Sequence, residues 1–153
     1  MSVAARRGGR RDSRAGASPK PGDVVLDAGA VLAVLTEGPG YKRIETRLAA
    51  PGTAVIDAVS LLVAMTALSD HGLSQRDVQE VVDAMALRVE DLDEDLAFRA
   101  VEVGAEDRGG ELSLPQRCSV ALGRRLGLPV LAAGPEMYGL EGVEVADPRG
   151  ASR

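Results

Sequence analysis

The sequence predicts an α/β fold, a three-layer α/β/α sandwich built on a mainly parallel sheet of about five strands. Three observations predict it. Short apolar runs, such as residues 24–28, lack the alternation of a half-solvated strand and fit strands buried on both faces. Segments with a helical apolar period lie between successive runs, as parallel crossovers require. The chain has 153 residues, 45% of them hydrophobic, enough for one domain with its own core.

The elements follow in order. Residues 24–28 read as the first strand, which Gly29 turns into a helix over 29–37, and Gly38, Pro39 and Gly40 break that helix. An amphipathic helix over 41–50, a turn at Pro51 and Gly52, and a strand over 53–57 come next. Helices over 59–68 and 74–87 form a hairpin, with Ser74 as N-cap and Asp77 as its capping partner. A third strand is expected over 88–92, a helix over 93–107 capped by Asp93, and another over Leu114–Leu126. Strands over 129–133 and 143–146 complete the sheet, and no internal repeat is visible.

Charge divides the chain. Residues 1–23 carry six Arg or Lys against Asp12 and Asp23, whereas the remainder carries twelve basic and twenty-one acidic residues. The expected organisation is a disordered basic tail over 1–22, a folded domain over 23–147 and a short tail over 148–153. An acidic body lacks the clustered Lys and Arg that phosphates require, so RNA binding without cleavage would have to be led by the tail. Aromatics are confined to Tyr41, Phe98 and Tyr138, leaving few platforms for base stacking. Cys118 is the only cysteine, which excludes an intrachain disulfide or a cysteine-rich zinc site and suits a reducing compartment. No apolar run reaches the roughly 20 residues of a membrane span, and no signal peptide is visible, so no membrane partner is expected and the cytoplasm is the default.

Two motifs carry a family resemblance. Val24-Val25-Leu26-Asp27 closes an apolar strand with an aspartate. Later the chain reads Leu112-Ser113-Leu114-Pro115-Gln116-Arg117, then Leu126-Gly127-Leu128-Pro129-Val130-Leu131-Ala132-Ala133-Gly134. Together these segments resemble the PIN-domain family, in particular the VapC-type toxin ribonucleases, whose corresponding segments read roughly LSLxDR and LGLPVLTAD. The resemblance spans 23–147 and implies a PIN-like sheet with its site at the carboxyl ends of the strands. It also implies about four acids holding Mg2+ or Mn2+ against a scissile RNA phosphate, a homodimer, and an antitoxin protein lying over the cleft and the helical hairpin. Hard divalent ions need such a set of carboxylate oxygens to compete with water.

Carried over residue by residue, the first family acid falls on Asp27. The second, from a segment like ISAVNLAEV, falls on Val63, the third on Gln116 and the fourth on Gly134, with Ala132 in place of the family's threonine. Three of the four acids are replaced. The resemblance therefore implies a toxin-like protein with an impaired centre, a pseudoenzyme in which Asp27 is at most a weak metal ligand and Gln116 offers one neutral oxygen. The rival is an active Mg2+- or Mn2+-dependent endoribonuclease in which Asp57 and Glu136 act as displaced acids.

Other features have plainer readings. Asp27, between an apolar strand and Gly29, also reads as a helix N-cap. The acidic run 90–95 reads as a strand end plus a helix first turn, and His71 lies in a hairpin turn with no partner for base catalysis. Arg117, Arg124 and Arg125 flank the expected cleft as solvated helix-surface residues or as phosphate contacts. A haloacid-dehalogenase-type site is excluded because its second aspartate is Gly29 here, and no GxGxxG or P-loop follows a strand.

Overall fold

The computed structural model describes residues 18–107 and 109–147. Of the tails expected at 1–22 and 148–153, positions 1–17 and 148–153 lie outside the described residues. Lys20 to Asp23 forms a turn docked on the body. The Asp23 carboxylate, 8% exposed, accepts from the N–H of Lys20 at 2.7 Å and from that of Thr53 at 2.7 Å. The Gly22 N–H donates to the Pro51 carbonyl at 2.9 Å, ahead of the first strand.

Five strands form one sheet: β1 (Val24–Leu26), β2 (Ala54–Asp57), β3 (Arg88–Glu90), β4 (Val130–Ala132) and β5 (Val143–Val145). Their order is β3-β2-β1-β4-β5 and all four pairs are parallel, so the expected mainly parallel sheet is wholly so among the described residues. Six helices connect them: α1 (Ala28–Leu35), α2 (Tyr41–Ala49), α3 (Ala58–Asp70), α4 (Gln75–Ala84), α5 (Glu94–Glu106) and α6 (Leu114–Leu126). Side chains alternate across the sheet. Val25, Val55, Val130 and Ala132 pack towards α5 and α6, whereas Val24, Leu26, Ile56 and Leu131 pack towards α1 and α2. Covering both faces explains why the strands read as unbroken apolar runs.

The chain runs outward from β1 in opposite directions to reach β2 and β4, so the switch point of the sheet lies between β1 and β4. Open α/β sheets form their clefts there, beyond the carboxyl ends of the strands. Three short polar residues end strands or loops and begin helices at this rim. Asp27 caps α1, Asp57 caps α3, and Ser113 caps α6 with Gln116 as its capping-box partner. The expected Ser74 and Asp77 capping box of α4 and the Asp93 cap of α5 are also present.

Several boundaries differ from those expected. Residues 27 and 28 leave β1 because Asp27 is already the cap of α1. β3 stops at Glu90 instead of continuing to Leu92, since Asp93 must turn the chain into α5 and Leu92 is left 47% exposed. α4 stops at Ala84 instead of 87. The chain there closes through Ala86 with φ of 49°, a left-handed conformation that a β-carbon disfavours. Among the described residues no helix is long and apolar enough to cross a membrane.

Ala86→Gly removes that strain. It is expected to raise unfolding free energy by about 1 kcal/mol and the thermal midpoint by a few degrees, as read by calorimetry. An unchanged or lower midpoint would contradict the assignment of strain to this residue.

Candidate functional site

Asp27 stands at the end of β1, where its own N–H donates to the Leu131 carbonyl at 3.3 Å. Its carboxylate is 3% exposed, and Oδ1 accepts from the Ala30 N–H at 2.6 Å. Burial raises its pKa from the ordinary 3.8 to about 6. The N–H groups of Ala30 and Ala133 oppose that rise, and the nearby carboxylates of Glu136 and Asp57 reinforce it. No cation is among these influences.

Asp57 stands one strand over and is fully buried. Both of its oxygens are engaged: Oδ1 accepts from the Ser60 N–H at 2.8 Å and Oδ2 from the Ser119 hydroxyl at 2.9 Å. Because the Ser119 proton goes to Asp57, the Ser60 hydroxyl donates to Ser119 Oγ at 2.9 Å, with the Pro115 carbonyl a longer alternative at 3.4 Å. This chain of hydrogen bonds ties β2, the first turn of α3 and α6 together. The sequence reading placed Asp57 here but missed Ser60 and Ser119. A signal existed, for Ser119 is polar within the wholly buried run 118–123 of α6. Cys118 beside it is a buried thiol whose pKa is pushed up by burial and by Asp57.

Gln116 and Glu136 meet across the rim. Gln116 Oε1 accepts from the Ser113 N–H at 2.8 Å and the Ser113 hydroxyl at 3.0 Å, while Nε2 donates to Glu136 Oε1. Gly134 has φ of −74° and ψ of 130°, a conformation open to any residue, so its backbone does not demand glycine. A neighbouring side chain, which a substitution would have to turn aside, stands in the space instead. A β-carbon at 134 would lie 2.6 Å from Cδ of Glu136, whose carboxylate occupies the volume a side chain there would enter. A 3-10 turn over Pro135–Met137, anchored by the buried Met137, carries Glu136 to this place.

The rim thus brings together Asp27, Asp57, Gln116 and Glu136. Val63 lies on α3, one turn beyond Ser60, 38% exposed and beside the 64% exposed Leu62. Among the described residues no group of three Asp, Glu, His or Cys side chains is placed to hold a metal ion. The arginines expected near the cleft are engaged elsewhere. Arg124 forks onto Glu106 at 2.8 and 3.0 Å, Arg125 bonds Asp93 at 2.8 Å, and both lie about 12 Å along α6 from Gln116. Arg117 Nε donates to the Leu112 carbonyl at 3.0 Å, and its guanidinium covers Gly104, where a β-carbon would come within 2.8 Å of Cζ.

No protein-family model matches the chain, and no curated protein matches it. Solved structures do match its fold. A toxin-antitoxin complex from Klebsiella pneumoniae superposes with a TM-score of 0.64 at 19% identity, over 81% of this chain and 98% of that one. VapC20 of Mycobacterium tuberculosis, described as a sarcin-ricin loop cleaving toxin, gives 0.58 at 20% identity over 73% and 88%. DNA-bound VapBC from Salmonella typhimurium gives 0.60 at 17% identity over 82% and 97%. The fold of this chain is therefore PIN-like and similar to that of VapC proteins.

The carboxyl of Asp27 makes stability depend on pH in a defined direction. Its folded pKa of about 6 exceeds the ordinary 3.8, so the folded state holds the proton more tightly. Stability from this group is fully present below about pH 4 and is lost as pH rises through 6, by at most about 3 kcal/mol. Asp27→Asn keeps an acceptor for the Ala30 N–H and never ionises. Urea unfolding is expected to find the two proteins nearly equal at pH 4 and the variant more stable at pH 7 by about 1–3 kcal/mol. A variant less stable than the parent at pH 7 would show that the charged carboxylate is needed.

Proposed function

We propose that this chain is a VapC-like protein that keeps the family's protein-binding role and has lost metal-dependent RNA cleavage. The observation that carries the reading is the donor set at the strand ends. Divalent cations need several free carboxylate oxygens converging in near-octahedral array. Asp27 is buried and caps α1, both Asp57 oxygens accept from protein donors, and the Gln116 oxygen accepts from Ser113. Val63 offers no oxygen, and at 134 there is no side chain, the nearest carboxylate being that of the exposed Glu136. These residues do not fit a resident Mg2+ or Mn2+.

A protein partner suits the remaining surface. Exposed apolar side chains gather on the elements that carry the rim: Leu62 and Val63 on α3, Leu114 at the start of α6 and Tyr138 after the 3-10 turn, the last three 38%, 72% and 63% exposed. An apolar groove of about 490 Å³ adjoins Gly29, Ala133 and Gly134. The expected contribution of α4 is smaller, because Val78 is only 2% exposed. The matched structures named as toxin-antitoxin and VapBC complexes support an antitoxin-type protein as the partner. RNA is disfavoured as occupant because the rim carries carboxylates and its nearest arginines are engaged.

The rival reading, a nuclease with displaced acids, rests on Glu136 filling the volume beside Gly134 near Asp27. Rebuilding the acids separates the two. The variant combines Val63→Glu, Gln116→Asp and Gly134→Asp with Glu136→Ala, which vacates the space; Gln116→Asp preserves a capping box of the kind Asp77 makes with Ser74. The proposal expects Mn2+-dependent cleavage of a mixed RNA pool by this variant, none by the parent, and loss of the gain when Asp27→Asn is added. Cleavage by the parent that disappears with Glu136→Ala alone would establish the rival.

A further inference from the structure

The parallel sheet delivers its last strand to the rim that carries Asp27. β5 runs in the same direction as β1 and β4, so the chain leaves it at the carboxyl ends of the strands, where the Ala146 N–H donates to the Ala132 carbonyl at 2.8 Å. The turn Gly38-Pro39-Gly40 packs against this exit. Gly40 has φ of 82°, and a β-carbon there would lie 2.8 Å from that of Ala146 and 3.0 Å from the Asp147 nitrogen. Beside the turn lies the apolar groove of about 490 Å³, walled by Leu32, Ala33, Pro39, Ala133 and Pro135, and Asp147 is part of its lining. The last described residue therefore stands in the wall of a groove.

We propose that this groove holds the chain's own residues 148–153, Pro148-Arg149-Gly150-Ala151-Ser152-Arg153, as an intramolecular cover of the strand-end rim. The flanks of the groove are acidic. Glu37 follows Thr36 and Glu136 follows Pro135, both of them exposed, and Asp27 lies behind Gly29, where a β-carbon would come within 3.4 Å of Oδ2. Among the described residues that line the groove none is basic. The segment brings two arginines and no acidic side chain, with the small Gly150 and Ala151 between them to lie on an apolar floor. Arginine suits such a place, because its fork pairs with carboxylates while its stem covers apolar surface. Six extended residues reach roughly 20 Å, ample for a groove of this volume.

Position favours this segment over the other end of the chain. Residues 1–17 are more basic, but they precede the turn of Lys20 to Asp23, which docks on Pro51 and Thr53 at the amino ends of the strands, across the sheet from the groove. Residues 148–153 need no linker, since Asp147 already lines the groove. A contact too weak to retain a free peptide retains a tethered one, whose local concentration is on the order of millimolar. The occupancy is intramolecular, so it stands or falls independently of any antitoxin-type partner. A partner that uses the groove would have to displace the segment first.

Magnetic resonance titration with a synthetic peptide of the sequence of residues 148–153, blocked at both ends, tests this. A groove held by its own segment is open only part of the time, and the apparent affinity for an added peptide falls by that fraction. The full-length variant Arg149→Gln with Arg153→Gln frees the groove without creating charges that would themselves attract the peptide. It is expected to bind the peptide at least about fivefold more tightly than the wild type, with the shifts gathered at the amides of Gly29, Ala33, Ala133 and Gly134. Removing residues 1–17 instead is expected to leave the affinity unchanged. Equal affinity in wild type and variant, or no binding to the variant, would overturn the proposal. A gain on removing residues 1–17 would assign the groove to that end of the chain, and wild-type groove amides that shift with protein concentration would assign it to a second copy; either result also overturns the proposal.

Discussion

Everything at the rim of this fold depends on one requirement, that the first-turn N–H groups of α1 and α3 be satisfied where those helices leave the buried strands β1 and β2. Water does not reach these junctions, so the acceptor must come from the chain. Asp27 and Asp57 supply it, each one residue before its helix and each accepting from the N–H three residues on. A carboxylate placed this way also lies at the positive end of a helix, which offsets part of the cost of burying it. The same geometry that builds an acidic cleft in an α/β sheet thus also builds a pair of helix caps. Whether such a site binds a metal is decided by how many acceptor oxygens are left over.

Here few are left. Ser119 takes the second oxygen of Asp57, and the Ser60 hydroxyl closes that network. Gln116 turns its oxygen inwards to the α6 cap and its amide outwards to Glu136. At 116 the side-chain amide is engaged on both sides and at 134 the Glu136 carboxylate stands where a side chain would enter, whereas Val63 stays 38% exposed. Glu136 remains the one rim carboxylate exposed to solvent, and it lies close enough to Asp27 to help raise its pKa.

Much of this was legible in the sequence. The apolar runs ending at Leu26, Asp57 and Ala132 are unbroken because both sheet faces are covered, and the caps at Asp27, Ser74 and Asp93 are local signals read within four residues. The order of the segments was enough to place Asp27 and Asp57 together at the strand ends. What escaped was non-local. The bond between Ser119 and Asp57 joins positions 62 residues apart, and the meeting of Gln116 with Glu136 depends on a 3-10 turn that no period announces. The early end of β3 was hidden for the opposite reason: residues 88–92 keep a strand-like pattern, and only the demand of the Asp93 cap cuts it short.

We propose that the strand-end acids serve the fold and do not form a cation site. Calorimetric titration of the purified chain with Mn2+, in parallel with Asp27→Ala, tests it most directly. Neither protein is expected to show saturable binding tighter than about millimolar, because Asp27 and Glu136 beside the engaged oxygens of Asp57 and Gln116 leave too few donors to strip an ion of its water. A micromolar site in the parent that vanishes in Asp27→Ala would contradict it.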